Sequence, residues 1–245
     1  MEKISLVVPC YNEEDVLPYF YEEFRKVAEK LRDCEAEVIF IDDGSKDQTL
    51  KLLKGLANKD YRVKYLSFSR NFGKDAAIYA GLQHADGDYV AILDADLQDP
   101  PQLLPDMLRA IREEDYDSVA TRRVNRKGEP PLRSFFARRF YGIMNKISTV
   151  EIMDGARGYR LMTRQFKDAV MKLTEYNRFS KGIFGWVGFK TKWIEYENIE
   201  RKAGKTKWSF WKLLKYSIEG IIGFSTMPLA FVSMLGLSIC IAAFL

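Results

Sequence analysis

The sequence predicts an α/β fold: a mostly parallel central sheet flanked by helices, followed by an interfacial helix and a transmembrane helix. Three observations carry this. The apolar runs Ile4–Val8, Val38–Ile41 and Tyr89–Leu93 each end in a polar tip and read as strands buried on both faces. Helical spacing follows them, clearest in Val16, Leu17, Phe20, Phe24, Val27 and Leu31 and again in Leu50, Leu53 and Leu56. The third is a C-terminal stretch, Gly220 to Leu245, without one charged residue.

The first strand ends in Pro9-Cys10-Tyr11-Asn12-Glu13-Glu14, and the second in Asp42-Asp43-Gly44-Ser45. The third delivers Asp94-Ala95-Asp96 to its C-terminal tip, and ligands of open α/β sheets bind at that edge. Pro100 and Pro101 then stop the strand and suit the first turn of a helix. Two neighbouring carboxylates repel unless a cation lies between them. Their hard oxygens suit Mg²⁺ or Mn²⁺ carrying a diphosphate. The plainer reading is a pair of helix-capping aspartates.

The 245 residues allow one α/β domain and an appendage, and the formal net charge of +4 excludes a polycationic nucleic-acid binder. Basic residues are concentrated in one segment, where Arg122, Arg123, Arg126, Lys127, Arg133, Arg138 and Arg139 face only Glu129. Cys10, Cys34 and Cys240 offer neither a disulfide framework nor metal-ligand spacing, and His84 is the only histidine. No Gly-x-Gly-x-x-Gly follows the first strand, which argues against a dinucleotide-binding oxidoreductase.

Met1-Glu2-Lys3 leads straight into the first strand, so no signal peptide is expected. Pro228 starts a fresh helix, and the 18 residues to Leu245 would rise about 27 Å, close to the ~30 Å hydrocarbon thickness of a bilayer. Before it, Trp208, Phe210, Trp211, Lys212 and Lys215 have the composition of a helix lying in the membrane interface. The expected division is a cytosolic domain over 1–205, a juxtamembrane helix over 206–225 and a transmembrane helix over 226–245. The sequence stops inside the apolar run, so a longer natural protein with further membrane helices is expected.

Four motifs in order, Val8–Glu14, Asp42–Ser45, Ser69-Arg70-Asn71-Phe72-Gly73-Lys74 and Asp94–Pro100, resemble the family 2 inverting glycosyltransferases. Gly158-Tyr159-Arg160-Leu161-Met162 and Arg201-Lys202-Ala203-Gly204-Lys205-Thr206-Lys207 are similar to motifs of the subgroup acting on polyprenyl phosphates. The resemblance covers essentially the whole chain and implies the nucleotide-sugar glycosyltransferase A-type fold. It implies that Pro9, Tyr11 and Glu13 line a nucleotide pocket, and that Asp42 reads the base or ribose. Lys74 would also serve the donor. Asp94 would approach the ribose or the metal, Asp96 would ligate the metal, and Gln98 would lie beside it. Arg201 and Lys207 would close over the phosphates, and Arg122 and Arg133 would grip the acceptor phosphate.

Where many relatives carry an aspartate, this chain has Gly158, which leaves Asp154 as the candidate to orient the acceptor. Lys181 and Trp186 stand in place of the Gln-x-x-Arg-Trp signature of polymerising synthases. The implied activity moves one hexose, glucose from UDP-glucose by preference, to polyprenyl phosphate, with undecaprenyl phosphate expected. Mg²⁺ or Mn²⁺ is the implied cofactor and the bilayer a partner, with the catalytic domain on the cytoplasmic side of the cell membrane. Transfer to a neutral lipid such as diacylglycerol and a non-catalytic nucleotide-sugar-binding module are the alternatives. A homo-oligomer is left open.

Overall fold

The computed structural model describes residues 1–31, 33–124, 142, 148, 153, 155–197 and 218–244. They form two compact units. Residues 1–124, 155–175 and 187–197 make the first, and residues 176–186 and 218–244 belong to the second. Residues 176–186, grouped by sequence with the first domain, thus cluster with the C-terminal residues instead.

The first unit is built on a seven-stranded sheet. Its strands are β1 (Glu2–Cys10), β2 (Cys34–Asp42), β3 (Val63–Ser67), β4 (Tyr89–Ile92), β5 (Ser118–Arg123), β6 (Ala156–Thr163) and β7 (Thr191–Tyr196), in the order β3-β2-β1-β4-β6-β5-β7. The pairs β1–β2, β2–β3, β1–β4 and β5–β7 are parallel, and β6 runs antiparallel between β4 and β5. The order reverses at β1, which has β2 on one side and β4 on the other. The crevice beyond the carboxyl ends of β1 and β4 is therefore a topological switch point. The Pro9–Glu14 and Asp94–Asp96 tips stand on either side of it.

Both faces of the sheet are covered, which is why β1 and β2 read as unbroken apolar runs. On one face α1 (Leu17–Lys30) and α4 (Leu104–Glu114) bury Leu17, Phe20, Phe24, Val27, Met107, Leu108 and Ile111. Their partners include Leu6, Val8, Phe40, Tyr159 and Leu161 in one contiguous core. Helix α2 (Thr49–Lys59) adds Leu53 to it. On the other face α3 (Lys74–His84) lies so close to the sheet that a Cβ on Gly81 would fall 2.3 Å from Val7 Cγ1. Helix α5 (Arg164–Met171) closes the unit, capped by Thr163 Oγ1, which accepts the Phe166 N–H.

In the second unit, α6 spans Ser180–Trp186, residues 218–224 are helical, and α7 spans Met227–Phe244. Helix α7 is long and apolar enough to cross a membrane by length and composition, and none of its residues is buried. Most of the expected 206–225 helix lies outside the described residues.

Candidate active site

The tips of β1 and β2 are stitched together by reciprocal hydrogen bonds. Asn12, at φ 52°, donates its N–H to Ser45 Oγ at 2.8 Å, and its Oδ1 accepts the Lys46 N–H at 2.7 Å. Glu13 N–H donates to Thr49 Oγ1 at 2.8 Å, and Glu14 Oε2 accepts from Gln48 N–H at 2.8 Å. Asn is among the residues that tolerate this left-handed backbone. The loop leaves Pro9, Tyr11 and Glu13 half-buried at the sheet edge. Asp42 is buried, its Oδ1 accepting from Ser45 N–H and its Oδ2 from the Ser67 hydroxyl, each at 3.1 Å. It holds the β2 tip to β3.

Asp43 does similar work on the other side. Its carboxylate accepts the Phe72 N–H at 2.7 Å, the Gly73 N–H at 3.0 Å and the Asn71 Nδ2 at 2.8 Å. Burial raises its pKa; the Phe72 and Gly73 N–H groups work against that, and Asp42 adds to it. The 70–71 backbone comes so near that a Cβ on Gly44 (φ +68°) would lie 2.4 Å from the Arg70 carbonyl carbon. Only glycine fits there.

This anchored loop starts α3 with Lys74, a cation at a helix N-terminus, where the macrodipole opposes it. The ammonium is compensated by Asp94: Nζ lies 2.5 Å from Oδ1 and 2.7 Å from Oδ2. Burial alone would lower the Lys74 pKa, but the neighbouring Asp94 holds it above its ordinary value.

The loop carrying Asp94 and Asp96 is fastened from below. Ala95, Leu97 and Asp99 point inward at 3%, 4% and 0% exposure, while Asp94 and Gln98 remain half-buried at the edge. Leu97 adopts φ 55°, and Asp96 Oδ1 accepts the Gln98 N–H at 3.1 Å. Asp99 Oδ1 accepts from Arg157 Nε at 3.0 Å and from the Tyr196 hydroxyl, while its buried Oδ2 has no hydrogen-bond partner among the described residues. Burial and then the Asp99 charge push Tyr196 up to about 12. Tyr159, fully buried, donates its hydroxyl to the Pro101 carbonyl at 3.3 Å.

Asp99, Arg157 and Tyr196 were not singled out by sequence. The available signal was a third carboxylate in the Asp94–Pro100 motif, but its partners lie 58 and 97 residues away.

Continuing the β4–β6 register by two residues brings Gly158 opposite Asp94. A Cβ there would stand 3.4 Å from Lys74 Nζ and 3.7 Å from both Asp94 oxygens. Bare backbone therefore faces the ion pair. Arg160 of the same motif is packed against the sheet with Ser118 Oγ at 2.8 Å and the Phe166 and Trp193 rings at 5.5 and 5.7 Å. Burial lowers its pKa to about 9.

Arg122 is at the end of β5, where its guanidinium hydrogen bonds Glu195 of β7 through Nε at 2.8 Å and through Nη2. Arg133, Asp154, Arg201 and Lys207 lie outside the described residues. The structure thus brings Lys74, Asp94, Asp96, Gln98 and Gly158 into one place, and Pro9, Tyr11, Glu13 and Asp42 onto the adjoining tips.

Among the described residues, no three His, Cys, Asp or Glu side chains form a metal cage. Two carboxylates nonetheless suit Mg²⁺ or Mn²⁺, since Mg²⁺ commonly takes one or two carboxylates and completes its shell with water and phosphate oxygens.

Residues 5–170 match the glycosyl transferase family 2 model. The putative glycosyltransferase CsbB of Bacillus subtilis is 45% identical over 226 residues, 92% of this chain and 68% of that protein. The prophage bactoprenol glucosyl transferase homolog of Escherichia coli is 43% identical over 243 residues, 99% of this chain and 79% of that protein. Among solved structures, the mannosyltransferase PcManGT of Pyrobaculum calidifontis, in complex with GDP-Man and Mn²⁺, superposes with TM-score 0.63 at 18% identity, covering 91% of this chain and 64% of that one. Glucosyl-3-phosphoglycerate synthase of Mycobacterium tuberculosis, with Mn²⁺, UDP and glucosyl-3-phosphoglycerate, gives 0.60 at 21%, covering 90% and 77%. These structures bear out the fold that the resemblance implied. With its sheet, its ordered motifs and nearly its whole length matched, the chain belongs to glycosyl transferase family 2 and is a glycosyltransferase.

Proposed function

We propose that the chain transfers glucose from UDP-glucose to a polyprenyl phosphate, undecaprenyl phosphate in particular, with inversion at the anomeric carbon. The observation that carries this is the 43% identity over 99% of the chain to proteins named bactoprenol glucosyl transferase. The site geometry supports it. Acidic and basic groups meet at the switch point of the sheet, where a nucleotide diphosphate is the expected ligand.

In this reading Pro9, Tyr11, Glu13 and Asp42 hold the nucleoside, and Asp96 with Asp94 holds Mg²⁺ or Mn²⁺ beside Gln98. The ion, when bound, supplies positive charge against the departing diphosphate. Lys74 adds a second positive charge at the same edge, and fixed charge of this kind is commonly a large catalytic contribution. The acceptor phosphate, with a second pKa near ~6, is largely dianionic at neutral pH and needs no strong general base. Arg122 and Arg133 would grip it, since the planar guanidinium can bind phosphate bidentately. Asp154 would orient it, and Arg201 and Lys207 would close over the donor.

Helix α7 is apolar all round and none of its residues is buried, which favours a place in the bilayer. The catalytic unit would then lie on the cytoplasmic side of the cell membrane, following the lysines beside the 206–225 segment.

The test is incubation of the membrane-embedded chain with undecaprenyl phosphate, Mg²⁺ or Mn²⁺ and a panel of labelled nucleotide-sugars. A glycolipid formed from UDP-glucose, and lost with EDTA and with Asp96→Asn, is the expected result. Labelled product only with diacylglycerol would replace the acceptor, and nucleotide binding without product from any donor would replace the reaction.

A further inference from the structure

Residues 179–186, which hold helix α6, and residues 218–224 are interlocked through two glycines, each receiving the other segment's phenylalanine. A Cβ on Gly182 would fall 2.4 Å from Phe224 Cε2, and one on Gly220 would fall 3.2 Å from Phe179 Cε2. The Phe179 and Phe224 rings lie 6.1 Å apart, and the Trp186 ring lies 6.4 Å from Phe224. Glycine at each position leaves room for the facing phenylalanine ring to seat directly over the backbone. Trp186 is consequently tied to Phe224, although 38 residues separate them in sequence.

Phe224 precedes the first residue of α7 by three positions, so at most about 11 Å of chain separates the two. The 18 residues of α7 rise about 27 Å, nearly the whole ~30 Å of a hydrocarbon core. Its first turn therefore falls at the boundary between acyl chains and headgroups, and Phe224 falls within the headgroup layer. Trp186 shares that level, with 55% of its surface uncovered. A large aromatic with one polar N–H is favoured at that depth.

We infer that α6 is a membrane-contact element, with Trp186 seated in the headgroup layer of the bilayer that α7 enters. This rests on the placement of α7 in a membrane proposed above. It adds a second point of attachment, distant in sequence from the 206–225 segment. Its partner is the lipid interface itself.

The full chain is reconstituted in phospholipid vesicles carrying lipids brominated either near the headgroup or at the acyl ends. The Trp186 emission is taken as the difference between the native chain and Trp186→Phe. A single-tryptophan chain, with Trp193, Trp208 and Trp211 changed to Phe, gives the same quantity independently. Insertion of α7 is followed separately by a fluorophore on Cys240, the exposed thiol, since Cys10 and Cys34 are buried. The expected result is loss of most Trp186 emission to shallow bromines, little loss to deep ones, and quenching of the Cys240 label by deep bromines. If the Cys240 label is quenched and Trp186 is not, α6 faces water and the inference falls while the membrane reading stands. If neither is quenched, both fall.

Discussion

Lys74 Nζ contacts both carboxylate oxygens of Asp94, at 2.5 and 2.7 Å, joining the start of α3 to the tip of β4 twenty residues on. A cation bound by Asp94 must share those oxygens with the lysine. Replacing Lys74 by Met is therefore expected to have two opposite effects. Turnover falls about 100-fold, the order found when one preorganised charge is removed from a reacting site. Divalent-ion affinity, measured by titration calorimetry without nucleotide, rises. Unchanged ion affinity would show that Asp94 does not share in holding the ion.

Gly158 offers a sharper probe, because nothing in its surroundings forbids a side chain: the nearest atoms stand 3.4 and 3.7 Å from a built Cβ. Gly158→Ala should leave thermal unfolding nearly unchanged. Gly158→Asp should place a second carboxylate next to Lys74, draw the ammonium away from Asp94 and lower kcat more than the alanine does. Equal kinetics for all three chains would remove Gly158 from the reacting edge.

Asp99 is fully buried against Arg157 and Tyr196. Asp99→Ala leaves the Arg157 guanidinium largely enclosed without its counter-charge, which costs about 3 kcal/mol. The apparent melting temperature should drop accordingly. The Tyr196 phenol, relieved of the Asp99 charge, should ionise at lower pH, a change visible in ultraviolet difference titration.

A pH dependence arises away from the site. The Arg62 guanidinium, chiefly by hydrogen bonding, brings Asp60 from 3.8 down to about 2. A depressed carboxylate stabilises the fold fully above its unfolded pKa and loses that contribution as pH falls through its folded one. Stability should therefore decline between about pH 4 and pH 2, by roughly 2 kcal/mol from this group. Asp60→Asn should flatten that part of the unfolding profile.

Strands β1, β2 and β4 and their polar tips were legible because burial on both faces leaves unbroken apolar runs that stop where the sheet stops, whereas β3, β5, β6 and β7 were not read. Helix α3 was not read. Its buried face is made of Ala77, Ile78, Gly81 and Leu82, only two of them large and apolar, and Gly81 serves close approach to Val7 and Ile41. Motif order singled out Lys74, Asp94 and Asp96, but that Lys74 rests on Asp94 depends on α3, which was not read, starting at the edge where β4 ends. Tertiary placement likewise decides Arg122, whose partner Glu195 comes from a parallel neighbour 73 residues on, and the Asp99 cluster. Residues 94–99 were read for Asp94 and Asp96, as metal ligands or helix caps. Ala95, Leu97 and Asp99, which that reading left aside, are set into the core and support Asp94 and Gln98 at the edge.

That support has a kinetic meaning. A loop whose alternate residues are set into the core, with Leu97 kept in a left-handed turn by its own buried side chain, has little conformational freedom left to surrender when a ligand arrives. Donor capture at this edge should then proceed as docking onto a standing surface. Its rate would be governed by encounter and by charge, with no slow folding step of the acidic loop in front of it.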